Sequence, residues 1–114
     1  MKYVLSLLLL LTLGAPAFAA ATFEEAVALF EDKEFKSARE IAEPLAKDGD
    51  ARAMAMMGAF YQLGNGVKPD LQKAVTWFSK AAEKNHPGAQ FSLATLYLDG
   101  TLGTPDADTG AKWL

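Results

Sequence analysis

The chain repeats itself every 36 residues without a gap, and this period limits the folds open to it more than any other feature. Ala53 pairs with Ala89, Met57 with Leu93, Tyr61 with Tyr97 and Gly64 with Gly100. The register runs on through Pro69 and Pro105, Asp70 and Asp106, Val75 and Ala111, and Trp77 and Trp113. A unit of this length cannot bury its apolar face alone, so identical units stack and share one continuous core, which is a repeat solenoid. One step further back the register holds only in part: Ala38 falls under Ala74, Ile41 under Trp77, Leu45 under Ala81 and Ala46 under Ala82. A first unit therefore keeps its second helix in register and reaches it through a shorter connection, Asp32-Lys33-Glu34.

Each unit reads as two helices. Thr22 with Glu25 three residues on forms a capping box ahead of a helix over about 23–31, where Phe23, Ala26, Val27 and Phe30 recur at three- and four-residue steps. Phe35, Ala38, Ile41, Ala42 and Leu45 repeat that spacing and complete an antiparallel pair. Gly49 ends this helix and Asp50 caps the next, over about 51–63, with Ala53, Met57, Phe60 and Tyr61 as its core stripe. Its partner starts at Asp70 and carries Leu71, Ala74, Val75, Trp77, Phe78 and Ala81 to about Lys84. Pro87 opens a helix over about 87–98. Between these helices, Gly64-Asn65-Gly66 resembles a hairpin turn. Its flanks have helical periodicity and few β-branched residues, so its glycines are expected to supply positive φ in a helix-to-helix turn. The prediction is an all-α fold, an α/α solenoid of antiparallel helix pairs.

At Ala53, Met57-Gly58, Tyr61, Gly64-Asn65-Gly66-Val67, Asp70, Lys73-Ala74, Trp77-Phe78 and Lys80-Ala81-Ala82-Glu83 the chain resembles the Sel1-like repeat, a relative of the tetratricopeptide repeat. The resemblance covers a full unit over 51–86 and most of a second over 87–114, behind a divergent tetratricopeptide-like pair over 20–50. The second unit departs at Leu102-Gly103 and at Thr109-Gly110, both expected to weaken its last helix. Leu114 corresponds to Phe78, so that helix stops before its unit is complete. The sequence is accordingly expected to be a truncated product or fragment, or to have Leu98, Leu102, Trp113 and Leu114 covered by a partner.

The N-terminus carries an address. Lys2 precedes an apolar run from Tyr3 to Leu13, followed by Gly14-Ala15-Pro16-Ala17-Phe18-Ala19-Ala20-Ala21. The run is too short to span about 30 Å of hydrocarbon, and small residues at Ala17 and Ala19 suit signal peptidase. Residues 1–19 are read as a secretory signal peptide cut after Ala19, with a cut after Ala21 as the alternative, and nothing beyond is long or apolar enough to insert stably in a membrane. The short Lys-plus-leucine leader with Ala-x-Ala, together with the frequency of the resembled family in bacteria, points to the periplasm or to secretion. Removing the 19-residue leader from 114 residues leaves 95, enough for a core and small for an enzyme. It also takes one of 11 basic side chains, leaving 10 against 14 acidic, with no basic cluster in the sequence to draw nucleic acid. The chain has no cysteine, which excludes disulfides, thiolate metal sites and thiol catalysis.

The remaining chemistry is sparse. His86, the one histidine, precedes Pro87 in a turn and has no second ligand to complete a metal or nucleophile site. The acid pairs Glu24-Glu25 and Asp106/Asp108 sit near helix starts, where the macrodipole favours them. Trp77, Trp113, Tyr61 and Tyr97 repeat with the period and read as packing between helices. Of Met54, Met56 and Met57, only Met54 is expected to be exposed. No catalytic residue, metal site or cofactor is implied.

Repeat geometry puts any binding surface on the concave side, lined by the first helix of each unit and away from the core stripe. That selects Met54, Ala55, Ala59 and Gln62 with their counterparts Gln90, Phe91, Thr95 and Leu98, a shallow groove for an extended peptide or a partner helix. The resemblance implies an adaptor that binds another protein in assembly or signalling, and a regulator of a membrane sensor or of polysaccharide export is that same role with a named client. A reading from another class is a small cell-envelope enzyme or ligand-binding protein. Cysteine-rich members of the family are linked to β-lactam binding or hydrolysis, and the cysteines that mark them are absent here.

Overall fold

The computed structural model describes residues 21–114, so the signal peptide read over 1–19 lies outside the described residues. Six helices and no strand occur among them: α1 (Phe23–Glu31), α2 (Phe35–Lys47), α3 (Ala51–Leu63), α4 (Leu71–Glu83), α5 (Pro87–Leu98) and α6 (Ala107–Lys112). Each helix packs on the one before it and the one after it, which is the stacking the 36-residue period demands. None of the described helices is long and apolar enough to cross a membrane.

The helices begin where side chains satisfy their first free amides. The Thr22 hydroxyl accepts from Glu25 N–H at 3.2 Å, the hydroxyl half of the expected capping box. Asp50 accepts from the amides of Arg52 and Ala53, and Asp70 from that of Lys73. Asp106 accepts both the amide of Thr109, at 3.0 Å, and its hydroxyl, at 2.6 Å. Thr109, read from sequence as a weakness of the last helix, thus reinforces its start.

The first four helices end by one device. Lys33, Gly49, Gly64 and Asn85 each adopt positive φ. The next residue in each case bonds back five positions: Glu34 to Leu29, Asp50 to Leu45, Asn65 to Phe60 and His86 to Ala81. This is the Schellman closure, which spends carbonyls the helix end would otherwise leave open. Gly64 and Gly66 both lie in the left-handed region, so Asn65 sits in a helix-to-helix turn and not in a hairpin.

Ten of the sixteen buried core residues are alanines, among them Ala26, Ala38, Ala42, Ala46, Ala53, Ala74, Ala81, Ala82 and Ala89. Small side chains let helix axes approach, and a few large ones fill the spaces left: Phe60, Met57, Leu93 and Leu96. Phe30 joins α1 to its neighbours, its ring edge-on to Phe35 at 5.2 Å and to Phe60 at 5.6 Å. Trp77, Trp113, Tyr61 and Tyr97 pack against this core, as their place in the period predicts. Two residues expected to lie bare, Leu102 and Trp113, are half-buried on it too, whereas Leu98 and Leu114 are exposed.

Candidate binding surface

The first helices of the two matching units, α3 and α5, present the same row of positions 36 residues apart. On α3 the row is Ala55, Ala59 and Gln62, all half-buried, and on α5 it is Phe91, Thr95 and Leu98, all exposed. The spacing of four and three places each trio on one helix face. Phe91 is 67% exposed, a large aromatic side chain open to solvent. The Thr95 hydroxyl is spent on the carbonyl of Phe91 at 3.0 Å, so it adds little polarity between the two apolar side chains. Leu63, 63% exposed beside Gln62, extends the apolar part of the surface and carried no repeat signal, since its counterpart is Asp99.

Two of the predicted residues do not belong to this surface. Met54 is buried, because α3 is clasped by α2 on one side and α4 on the other. Its buried arc runs from Phe60 through Ala53 and Met57 to Met54 and Gly58, wider than a single stripe. Gln90, the counterpart of Met54, is half-buried and donates from its amide to the carbonyl of Ala82 at 3.2 Å, which ties α5 to the end of α4. Leu98 serves two purposes. It is 41% exposed, yet a Cβ at Gly110 would stand 2.7 Å from its Cγ, so part of it seats α6.

Charge is held at the head of the α3 row. The Arg52 guanidinium meets Asp50 at 3.0 Å and Glu24 at 3.1 Å, and lies 4.6 Å above the Phe23 ring. It thereby joins the starts of α1 and α3. The hydrogen bond from Arg52, with help from the two capped amides, holds the Asp50 carboxyl below its ordinary value against the opposing effect of burial. Asp106 is lowered in the same direction by the Thr109 hydroxyl and amide. The acid pairs are helix-end groups, and no cluster of potential metal ligands occurs among the described residues. His86 is itself a cap: its Nδ1 accepts from Ala89 N–H at 3.1 Å, directly before Pro87 at the first helical position.

A cleft elsewhere on the molecule was not visible in the sequence. A cleft of about 520 Å³ lies where α2 meets the turn between α3 and α4, lined by Arg39, Tyr61, Val67, Lys68, Asp70 and Lys73, with Gly66 and Pro69 in its wall. Arg39 is 29 residues from Lys68 and 34 from Lys73, so no local pattern brings these three cations together.

The family described as "Sel1 repeat" matches residues 51–86 and 87–114. Among curated proteins, "Chitin synthase regulatory factor 3" of Schizosaccharomyces pombe is 39% identical over 70 residues, covering 60% of this chain and 8% of that protein. "ERAD-associated E3 ubiquitin-protein ligase component HRD3A" of Arabidopsis thaliana is 38% identical over 71 residues, covering 61% of this chain and 10% of that protein. The matched segment is thus a tenth or less of the length of these relatives. Among solved structures, the crystal structure of a Sel1 repeat protein from Oxalobacter formigenes superposes with a TM-score of 0.74 at 26% identity, covering 82% of this chain and 38% of that one.

Proposed function

The chain belongs to the Sel1 repeat family, and from that membership we propose that it is a protein-binding module, an adaptor or scaffold that holds a protein client on the α3–α5 row. The observation that carries the proposal is Phe91, a large aromatic side chain left 67% exposed at a position the repeat itself defines, with Leu98 seven residues on. Apolar anchors at such spacing on one helix face suit an extended peptide or a partner helix. The names of the relatives support a role beside other proteins, since one is a regulatory factor of a synthase and another a component of a ligase. The work proposed is binding and not catalysis. Its setting is the bacterial periplasm or the exterior, a reading that rests on Lys2, the leucine-rich run and the Ala17-Phe18-Ala19 end of the leader.

The test is affinity capture from a cell-envelope extract with the native chain and with Phe91→Ser and Gln62→Ala variants. A protein retained by the native chain and lost from the variants is expected. Capture that is absent, or equal for native and variant chains, overturns the proposal.

A further inference from the structure

The cleft between α2 and the α3–α4 turn carries three cations that its own architecture does not need, and the second unit supplies the comparison. The scaffold of this turn occurs twice. Asp70 N–H bonds the carbonyl of Tyr61 at 2.9 Å, and Asp106 N–H bonds that of Tyr97 at 2.7 Å. Pro69 packs against Gly64 and Pro105 against Gly100. Asp70 and Asp106 each cap the helix that follows. The tyrosine, proline and aspartate are the same in both units, yet where the first has Arg39, Lys68 and Lys73 the second has Val75, Thr104 and Thr109. The turn therefore forms without the charges.

Those charges are also poorly neutralised. The nearest carboxylate to Arg39 is Glu43, at 3.8 Å from Nη1 and shared with Lys47 at 3.7 Å. The Nε of Arg39 is buried with no acceptor, a donor whose desolvation nothing offsets. Lys73 lies 5.3 Å from the Tyr61 ring centre, and among the described residues neither it nor Lys68 forms an ion pair. The one acid in the lining, Asp70, is engaged on the Lys73 amide. In a chain of net charge −3, this is a local reversal of sign.

We infer that this cleft binds a carboxylate-bearing, acidic segment of a protein partner, with Arg39, Lys68 and Lys73 meeting its acid side chains and Tyr61 and Val67 their methylenes. An arginine fork matches a carboxylate, and the partly exposed Arg39 guanidinium has Glu43 alone paired with it, at a long 3.8 Å. Phosphate is the poorer fit. Phosphate sites at helix starts use free backbone amides, whereas at the start of α4 the Asp70 carboxylate already takes the Lys73 amide, and its charge repels a dianion more than a carboxylate. The inference rests on the protein-binding reading for the source of the carboxylate, and none of the α3–α5 row residues lines the cleft.

The experiment is a fluorescence-anisotropy titration of the full chain with a labelled, end-blocked peptide of alternating glutamate and leucine, beside its glutamine counterpart. Binding of the acidic peptide alone is expected, weakened about tenfold by R39Q, K68Q and K73Q together and little changed by the charge-matched set K47Q, K84Q and K112Q. Circular dichroism checks that each variant is folded. Lys68 and Lys73 are exposed, so K68Q and K73Q alone give the reading should Arg39→Gln disturb the fold. Equal binding of the glutamine peptide, equal loss in the two variant sets, or displacement by succinate or inorganic phosphate at concentrations that match the peptide overturns the inference. No client is needed for this titration. Loss of client capture with intact peptide binding therefore indicts the adaptor proposal alone, and the reverse result indicts the cleft alone.

Discussion

A Cβ atom at Gly58 would stand 2.6 Å from the Phe78 ring, so α3 and α4 meet where only a hydrogen fits. The second unit makes its close approach elsewhere. Ala94 and Leu114 occupy the positions of Gly58 and Phe78, while the close approach moves to Gly110, which faces Leu98. Gly58→Ala is expected to cost about 1–3 kcal/mol through overpacking, despite alanine's better helix propensity. Adding Phe78→Leu, which removes the ring that the new methyl would strike, is expected to recover part of that loss. A double-mutant cycle by urea denaturation reads the coupling, and strict additivity of the two changes refutes the contact as its cause.

Phe91 and Leu93 separate surface from core two residues apart. Phe91 is 67% exposed and Leu93 fully buried. Phe91→Ser is expected to leave the unfolding free energy within about 0.5 kcal/mol of the native chain, whereas Leu93→Ala costs about 2–5 kcal/mol. A large loss of stability in the serine variant means that Phe91 is packed after all and is not free to bind.

Asp50 ties the start of α3 to Arg52, and its folded-state carboxyl is held below the ordinary value of 3.8. Such a group adds stability that is fully present above that ordinary value and is lost as pH falls through the lower, folded value. The difference in stability between the native chain and Asp50→Asn is therefore expected to be constant near neutrality and to shrink below pH 3.8. Thermal unfolding from neutral pH down to the acid range measures it. A difference that grows toward acid contradicts the lowered carboxyl.

Lys33 holds a left-handed conformation, φ 63°, in the turn between α1 and α2, where the other Schellman turns use glycine or asparagine. The left-handed region costs a residue with a Cβ about 1–2 kcal/mol, and glycine's greater freedom in the unfolded chain returns about 0.5–1 kcal/mol of that advantage. Lys33→Gly is expected to stabilise the chain by about 0.5 kcal/mol, a rise in Tm of about 2–4 °C. A fall in Tm shows that the lysine side chain contributes more than its backbone costs.

The helices were legible because their signals are local. Caps at Thr22, Asp50 and Asp70, the left-handed glycines Gly49 and Gly64, and apolar steps of three and four fix helices over the residues where they are found. Lys33 was legible only as part of a connection, because a lysine does not advertise positive φ. The exposure of Phe91, Thr95 and Leu98 was legible, since it follows from their place on the face opposite the stripe. Met54 was misread for a related reason. Periodicity reports that one face of a helix is apolar, and it does not report how many neighbours clasp that helix.

By itself the sequence determined the repeat, the helix ends and the all-α stack, because each depends on hydrogen bonds and side-chain spacing within a few residues or one period. Only the tertiary structure decided how wide an arc of α3 is buried, that Gly110 rather than Ala94 yields to its neighbour, and that Arg39 joins Lys68 and Lys73 in one cleft. Those outcomes depend on where separate helices come to rest against one another. That is set by the volumes of all the side chains between them, and no window of sequence contains it.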